Sequence, residues 1–112
     1  MEAVNSKAED IAMAIIANSG DGRSKAFNAL TEAENGNFDK AEQLIKESSE
    51  TIGKAHDVQT QMLIDEANGK KTELSILTIH AQDHFMTSLL ANDLIKHMIK
   101  MQEEINSLKE EK

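Results

Sequence analysis

No proline interrupts this chain, and the strongest punctuation in its 112 residues is two Asn-Gly pairs, Asn35-Gly36 and Asn68-Gly69. A chain with nothing to stop a helix and few β-branched runs is expected to be all-α. Each Asn-Gly pair reads as a stop, because glycine takes the left-handed conformation that ends a helix at little cost. The stops leave three helices, from about Ser6 to Ala33, about Phe38 to Ala67, and about Thr72 or Glu73 to Leu108. Short connections between them imply an antiparallel three-helix bundle, with residues 1–112 forming a single domain.

The first helix shows Val4, Ala8, Ile11, Ile15, Asn18, Gly22, Ala26, Ala29 or Leu30, and Ala33 at three- and four-residue steps. Gly20-Asp21-Gly22 is its weak point, since an interior glycine costs about 1 kcal/mol relative to alanine. Either the helix breaks there or the small residues let a neighbouring helix approach closely. The apolar period resumes in phase at Ala26, which favours a continuous helix. Asn37 reads as the N-cap of the second helix, whose seam is Phe38, Ala41, Ile45, Ser48, Ile52, Ala55, Gln59 and Met62. Gly36-Asn-Phe-Asp-Lys-Ala41 has no second copy at a fixed period, so a repeat array is rejected.

Composition excludes several function classes. The net charge is −8 and no basic stripe exists to neutralise phosphates, which argues against nucleic acid. Without cysteine there is no disulfide, thiolate metal site or cysteine nucleophile, as fits a reducing interior. No segment approaches the roughly 20 apolar residues that span a bilayer. The run Ile11 to Ala17 is short and follows Glu9 and Asp10, unlike a signal peptide. A soluble, acidic, cytoplasmic protein without membrane insertion is expected.

The third helix is apolar over too wide an arc for a lone bundle. Set on a wheel with Ile76 at zero, Ile79, Met86, Leu90, Leu94, Met101, Ile105 and Leu108 fall within about 80° on either side. Leu74, Leu77, Ala81, Phe85, Ile95 and Ile99 form a second sector at about 100–180°. Only Thr78, Gln82, Asp93, Lys96 and Lys100, at about 200–260°, make a polar strip. A surface helix normally buries one stripe of somewhat over 100°. Self-association through this helix is the simplest remedy, giving a small symmetric oligomer with a coiled-coil-like centre.

Three polar side chains stand inside that apolar arc. Asp83 lies at about 340°, His80 at about 40° and His84 at about 80°. Asp83 takes a seam position between Ile79 and Met86, where a lone carboxylate is costly unless paired, protonated or metal-bound. Three readings are open. A buried polar network could fix register in a helical scaffold. His-x-x-Asp-His could supply metal ligands, although the first two helices offer no matching Glu-x-x-His pair. Or a neutral imidazole could carry phosphoryl, oriented by its neighbours. Periodicity does not separate them. His56 and His97 read more simply as structural or surface histidines; Arg23 could help hold phosphoryl or contact a partner, with a surface role favoured.

Ile79-His-Ala-Gln-Asp-His-Phe-Met86, after Glu73-Leu-Ser75 and before Thr87, resembles the active-site helix of the lactose/cellobiose-type IIA components of the bacterial sugar phosphotransferase system. Gly20-Asp-Gly-Arg-Ser-Lys-Ala26, Gly36-Asn-Phe-Asp-Lys-Ala-Glu42 and Ala55-His-Asp-Val-Gln-Thr-Gln61 extend the resemblance along the chain. The resemblance implies a homotrimer with nine helices, in which His80 accepts phosphoryl from phosphorylated HPr and passes it to a cysteine of the IIB component. It makes Gln82 and His84 supporting residues. It also makes Asp83 the residue that meets its two symmetry mates at the trimer axis, where a divalent ion such as Mg²⁺ bridges them. It implies a role in uptake of a disaccharide of the lactose, cellobiose or chitobiose type, without action on the sugar itself. Histidine phosphotransfer domains of two-component systems commonly place Lys-Gly soon after their histidine. Here that window reads Asp83-His-Phe-Met86, which argues against them.

Overall fold

The computed structural model describes residues 2–71 and 74–110, the side chains of 2–6 aside. Its helices are α1 (Glu2–Glu34), α2 (Phe38–Ala67) and α3 (Ile76–Glu110), and no strand occurs among the described residues. They run up, down and up in a rod measuring 67 × 24 × 19 Å, so α1 and α3 are parallel. None of the described helices is long and apolar enough to cross a membrane.

Both Asn-Gly stops act as the sequence predicts. Gly36 has φ +83°, with its N–H donating to the Ala33 carbonyl (3.0 Å) and the Asn37 N–H donating to the Glu32 carbonyl (2.8 Å). Gly69 has φ +87°, and the matching bonds run from Gly69 to Glu66 (3.0 Å) and from Lys70 to Asp65 (2.9 Å). This pair of bonds is the Schellman closure, which satisfies carbonyls that the helix end leaves without partners.

Three local expectations need correction. Asn37 makes no side-chain cap bond; its amide donates instead to Glu32 Oε1 at 2.9 Å, across the turn. Glu32 also pairs with Lys40 at 3.3 Å, and these two partners hold its carboxyl below the usual range. Thr72 and Glu73 lie outside the described residues, and α3 begins at Ile76. Ser75 sets that start, because its Oγ accepts from the Thr78 N–H at 3.1 Å, the N-cap to N3 bond. Leu74 therefore precedes the helix and is exposed, rather than joining the second apolar sector, while Thr78 is buried rather than part of the polar strip.

α1 is continuous through Gly20 and Gly22. Its inner face is Ala12, Ile15, Ser19, Gly22, Ala26, Ala29 and Ala33, a strict alternation of three- and four-residue steps. Ala12 and Ser19 thus face inward where the sequence pattern offered Ile11 and Asn18, which are half-buried; the Val4 side chain lies outside the described residues. Gly22 is where α2 comes closest. A Cβ there would overlap Ile52 Cγ1 and stand 3.2 Å from the Ser48 carbonyl oxygen.

The core has two apolar clusters with a polar layer between them. Ala12, Ile15, Ile52, Ala55, Ala81 and Phe85 form one, and Ala26, Ala29, Ala33, Ala41, Ile95 and Ile99 the other. In the layer, the Ser48 hydroxyl donates to the Gly22 carbonyl (2.6 Å) and the Asn92 amide donates to Ser48 Oγ (2.8 Å). Buried polar groups are tolerated when bonded in this way. Outside lies a continuous stripe on α3: Ile76 is 87% exposed, Leu90 57%, Met101 61% and Leu108 63%, with Ile79, Met86, Leu94 and Ile105 also exposed.

Two interior glycines give a paired expectation. Gly53 has nothing within 4 Å of a built Cβ, so Gly53→Ala should stabilise by up to about 1 kcal/mol through helix propensity. Gly22→Ala gains the same propensity but must displace β-branched Ile52, for which overpacking costs about 1–3 kcal/mol. Urea denaturation at matched protein concentration should therefore move the two variants in opposite directions.

Candidate functional site

The rotation of α3 decides what the His-Asp-His segment faces. Thr78, Ala81, Phe85, Ser88, Asn92, Ile95 and Ile99 are buried at alternating three- and four-residue steps and form the inner seam. Phe85 is the largest side chain fully enclosed in the core and fixes the helix beside Ile15 and Ile52. Between the seam positions, His80 and Asp83 are turned outward and exposed, and His84 is half-buried at the edge.

His80 and His84 meet edge to face, with ring centroids 5.7 Å apart and planes at 87°. His84 rests on α1: a Cβ built on Gly20 would stand 3.6 Å from its Cε1. The α1 backbone is therefore the ring's floor, and a Cβ at Gly20 would meet it in ordinary van der Waals contact. Behind it, Ser88 Oγ lies 3.5 Å from His84 Nδ1. The result is one open imidazole, His80, beside a second that α1 and α3 hold in place. An open imidazole nitrogen can act as a nucleophile, and a fixed neighbour can donate to an incoming anion.

Gln82 does not join this pair within the chain. Its Oε1 accepts from Gln59 Nε2 at 2.6 Å, and its own amide turns to Met62 Sδ at 3.8 Å. Asp83 stands on the exposed stripe between Ile79 and Met86, where the wheel puts it. Among the described residues, no group of three or more His, Cys, Asp or Glu side chains gathers as ligands could. His56 lies tilted against buried Phe85, with ring centroids 6.0 Å apart, and His97 is exposed far along α3. Arg23, read as a surface residue, lines an open groove with Gly20, Ser24, Phe27, Asn28 and His84.

Sequence reasoning missed Gly20, Ser88 and Gln59 as the surroundings of the motif. Gln59 carried a signal, being a polar residue at a seam position of α2. Ser88 follows His84 by one helical turn and was in reach of the same reasoning. Gly20 carried a partial one: small residues there allow a close approach by a neighbouring helix, but nothing in α1 says that the approaching group is His84.

Residues 10–103 match the family described as PTS system, Lactose/Cellobiose specific IIA subunit. The chain is 51% identical over 87 residues to a PTS system lactose-specific EIIA component of Staphylococcus epidermidis, covering 78% of this chain and 84% of the other. Its fold is similar to the crystal structure of the PTS cellobiose-specific enzyme IIA from Bacillus anthracis, with a TM-score of 0.86 and 38% identity over 89% of this chain and 92% of that one. It is also similar to a chain of the solution structure of the IIA(Chitobiose)-HPr complex of the Escherichia coli phosphotransferase system. There the TM-score is 0.77 and identity 37%, covering 88% of this chain and 96% of that one.

The Gln59–Gln82 bond is expected to be a measurable coupling. Each Gln→Ala variant should lose about 0.5–1.5 kcal/mol by denaturation. The double variant should lose less than the sum, because either single change already removes the shared bond.

Proposed function

The chain belongs to the lactose/cellobiose-specific IIA family of the sugar phosphotransferase system, and we propose that it carries a phosphoryl group on His80. The observation that carries this reading is the exposed His80 ring standing edge-on to the supported His84 ring, 5.7 Å away, within the family's His-Ala-Gln-Asp-His segment. A nitrogen lone pair of neutral His80 attacks phosphorus on phosphorylated HPr. The new N–P bond forms as the donor's N–P bond breaks, and the donor nitrogen keeps the electron pair. In the next transfer a cysteine thiolate of the IIB component attacks the same phosphorus, and His80 leaves with its electron pair restored. Transfers of this kind are governed by positioning and charge compensation. His84 is the neighbour placed to donate to the phosphoryl oxygens.

HPr as donor is supported by the similar chitobiose protein, whose structure is that of its complex with HPr. The disaccharide class is supported by relatives named for lactose and cellobiose. The protein then works in the cytoplasm beside a membrane IIC component and does not act on sugar itself.

Assembly as a homotrimer is part of the same proposal. The exposed α3 stripe supports it, since burying the apolar surface that it still shows to water is worth about 25 cal/mol per Å². His80 and His84 sit on one flank of that stripe, at about 40° and about 80° on the wheel, and Gln82 and Met86 on the other, at about 240° and about 280°. In a rotationally symmetric parallel trimer, one flank of each copy meets the opposite flank of the next. Gln82 would then be supplied to His80 by the neighbouring copy. Asp83, close to the middle of the stripe, would meet its symmetry mates at the axis. Three converging carboxylates must share protons or bind a cation, and their oxygens suit a hard ion such as Mg²⁺. That ion would offset their repulsion.

With enzyme I, HPr and phosphoenolpyruvate supplied, His80→Gln should abolish acid-labile labelling, while His84→Gln should retain part of it. Labelling of the His80 variant at the level of the unaltered protein would sink the assignment. Asp83→Leu should preserve or raise trimer stability by removing axial repulsion. Sedimentation of that variant as monomers would instead show that the carboxylate and its ion are required.

A further inference from the structure

Arg23 is the chain's single arginine, in a sequence of net charge −8. It stands on α1 one turn beyond Gly20, whose backbone is the floor under His84. Gly20, Arg23, Ser24, Phe27, Asn28 and His84 line an open groove of about 470 Å³. The chain holds 20 acidic residues, yet none of them lines that groove. Two positions on, Lys25 is paired with Asp21 at 3.1 Å. Among the described residues no carboxylate pairs with Arg23; its guanidinium carbon lies instead 5.7 Å from the centre of the half-exposed Phe27 ring.

A guanidinium without a counter-ion, in a groove whose other polar groups are hydroxyl, amide and imidazole, suits an anion with several acceptor oxygens. Direction also matters. α1 and α3 are parallel, and helical side chains lean toward their own N-terminus. An Arg23 leaning that way passes back over Gly20 toward His84, and beyond His84 stands His80. The ring of Phe27 holds the guanidinium on the other side by a solvent-exposed cation–π contact, which is weak and readily released.

We propose that Arg23 is a phosphoryl-binding residue: when His80 is phosphorylated, the guanidinium leaves Phe27 and forks onto two phosphoryl oxygens beside His84. The inference rests on the reading of His80 as phosphoryl carrier. It supplies the cation that this reading lacks, because the nearest lysines on α3, Lys96 and Lys100, are four or more turns away. The groove favours the phosphoryl group over an acidic face of a partner protein, because its lining includes His84, the ring against which His80 stands.

The test is a ³¹P NMR titration of the phosphorylated chain, prepared with the same donor proteins. An adjacent cation favours the dianion, so the phosphohistidine of the unaltered protein titrates low. Arg23→Gln should raise that titration by about one unit, the low end of what an opposite charge at close range does. Arg23→Lys, which keeps the charge and loses the fork, should fall between. Lys25→Gln removes an equal charge nearby and should leave the titration in place. A titration unmoved in Arg23→Gln, on a chain that still carries the label, overturns the role of Arg23 alone. Equal shifts in Arg23→Gln and Lys25→Gln would reveal a general field effect and overturn it too. A rise in the KM for the donor protein with the titration unmoved would assign Arg23 to a partner's carboxylates instead. Absence of any phosphohistidine signal in the unaltered protein overturns both this inference and the reading it rests on.

Discussion

The bundle depends on how closely α1 lies between its two neighbours. Of the seven inward positions on α1, six are Ala, Ser or Gly, and only Ile15 is large. Small inner residues bring backbones together, and Gly22 is the extreme, with Ile52 occupying the space a Cβ would need. A core this thin has little room for bulky groups: of the large apolar side chains of α3, Phe85, Ile95 and Ile99 are buried in it, and most of the others are exposed. Apart from Phe85 and the isoleucines at the seam, the inner face of α3 is again small or polar: Thr78, Ala81, Ser88 and Asn92. At four of its seven buried positions α3 turns a small or polar residue inward, while large apolar residues line its outer face. An exposed apolar stripe of this length is the kind of surface that marks an interaction site.

The thin core also fixes where the His-Asp-His segment sits. Phe85 can enter the core only with α3 rotated so that positions 81, 85 and 88 face inward. That rotation forces His80 and Asp83 outward and leaves His84 at the rim. The polar layer of Gly22, Ser48 and Asn92 sits one turn beyond and ties all three helices at one level. Register is set there by directional bonds, whereas the alanine-rich faces above and below it would tolerate sliding. His84 meets Gly20 at a fixed height because the bundle is pinned next to it.

Much of the fold was legible in the residues. Positive-φ glycines, the α2 limits at Phe38 and Ala67, and the unbroken α1 follow from local rules: a left-handed stop, a three-and-four step, a period that resumes in phase. Three readings failed for physical reasons of their own. Asn37 was a good N-cap by type, but Glu32 and Lys40 across the turn made a competing ionic partner for it. α3 took its start from Ser75, the nearest hydroxyl able to cap Thr78, so Leu74 lost the helical position that would have turned it inward. Thr78 counted as polar on the wheel, yet a threonine whose hydroxyl lies 2.9 Å from that of Ser75 can be buried at small cost. The motif itself was visible because a His-Asp-His run conflicts with the apolar period around it. What supports it was not: contacts such as Gly20 with His84 and Gln59 with Gln82 join helices, and no pattern within one helix encodes them.

The motif divides by angle, and the angles separate its tasks. Asp83 lies within the outer stripe, so anything that covers the stripe also covers Asp83. His80 and His84 lie at one edge of the stripe, next to the groove on α1, and Gln82 lies past the other edge, bonded to α2. An edge position is the place on a helix where a side chain can touch a neighbouring subunit and remain open to a large partner. A position at the stripe's centre would be sealed, and one on the inner seam would have no access to a second protein. On the proposed reading, in which His80 meets a donor and an acceptor protein in turn, the rim is the position compatible with both contacts. The inner seam led by Phe85 holds it there, and the seam depends in turn on the small residues of α1.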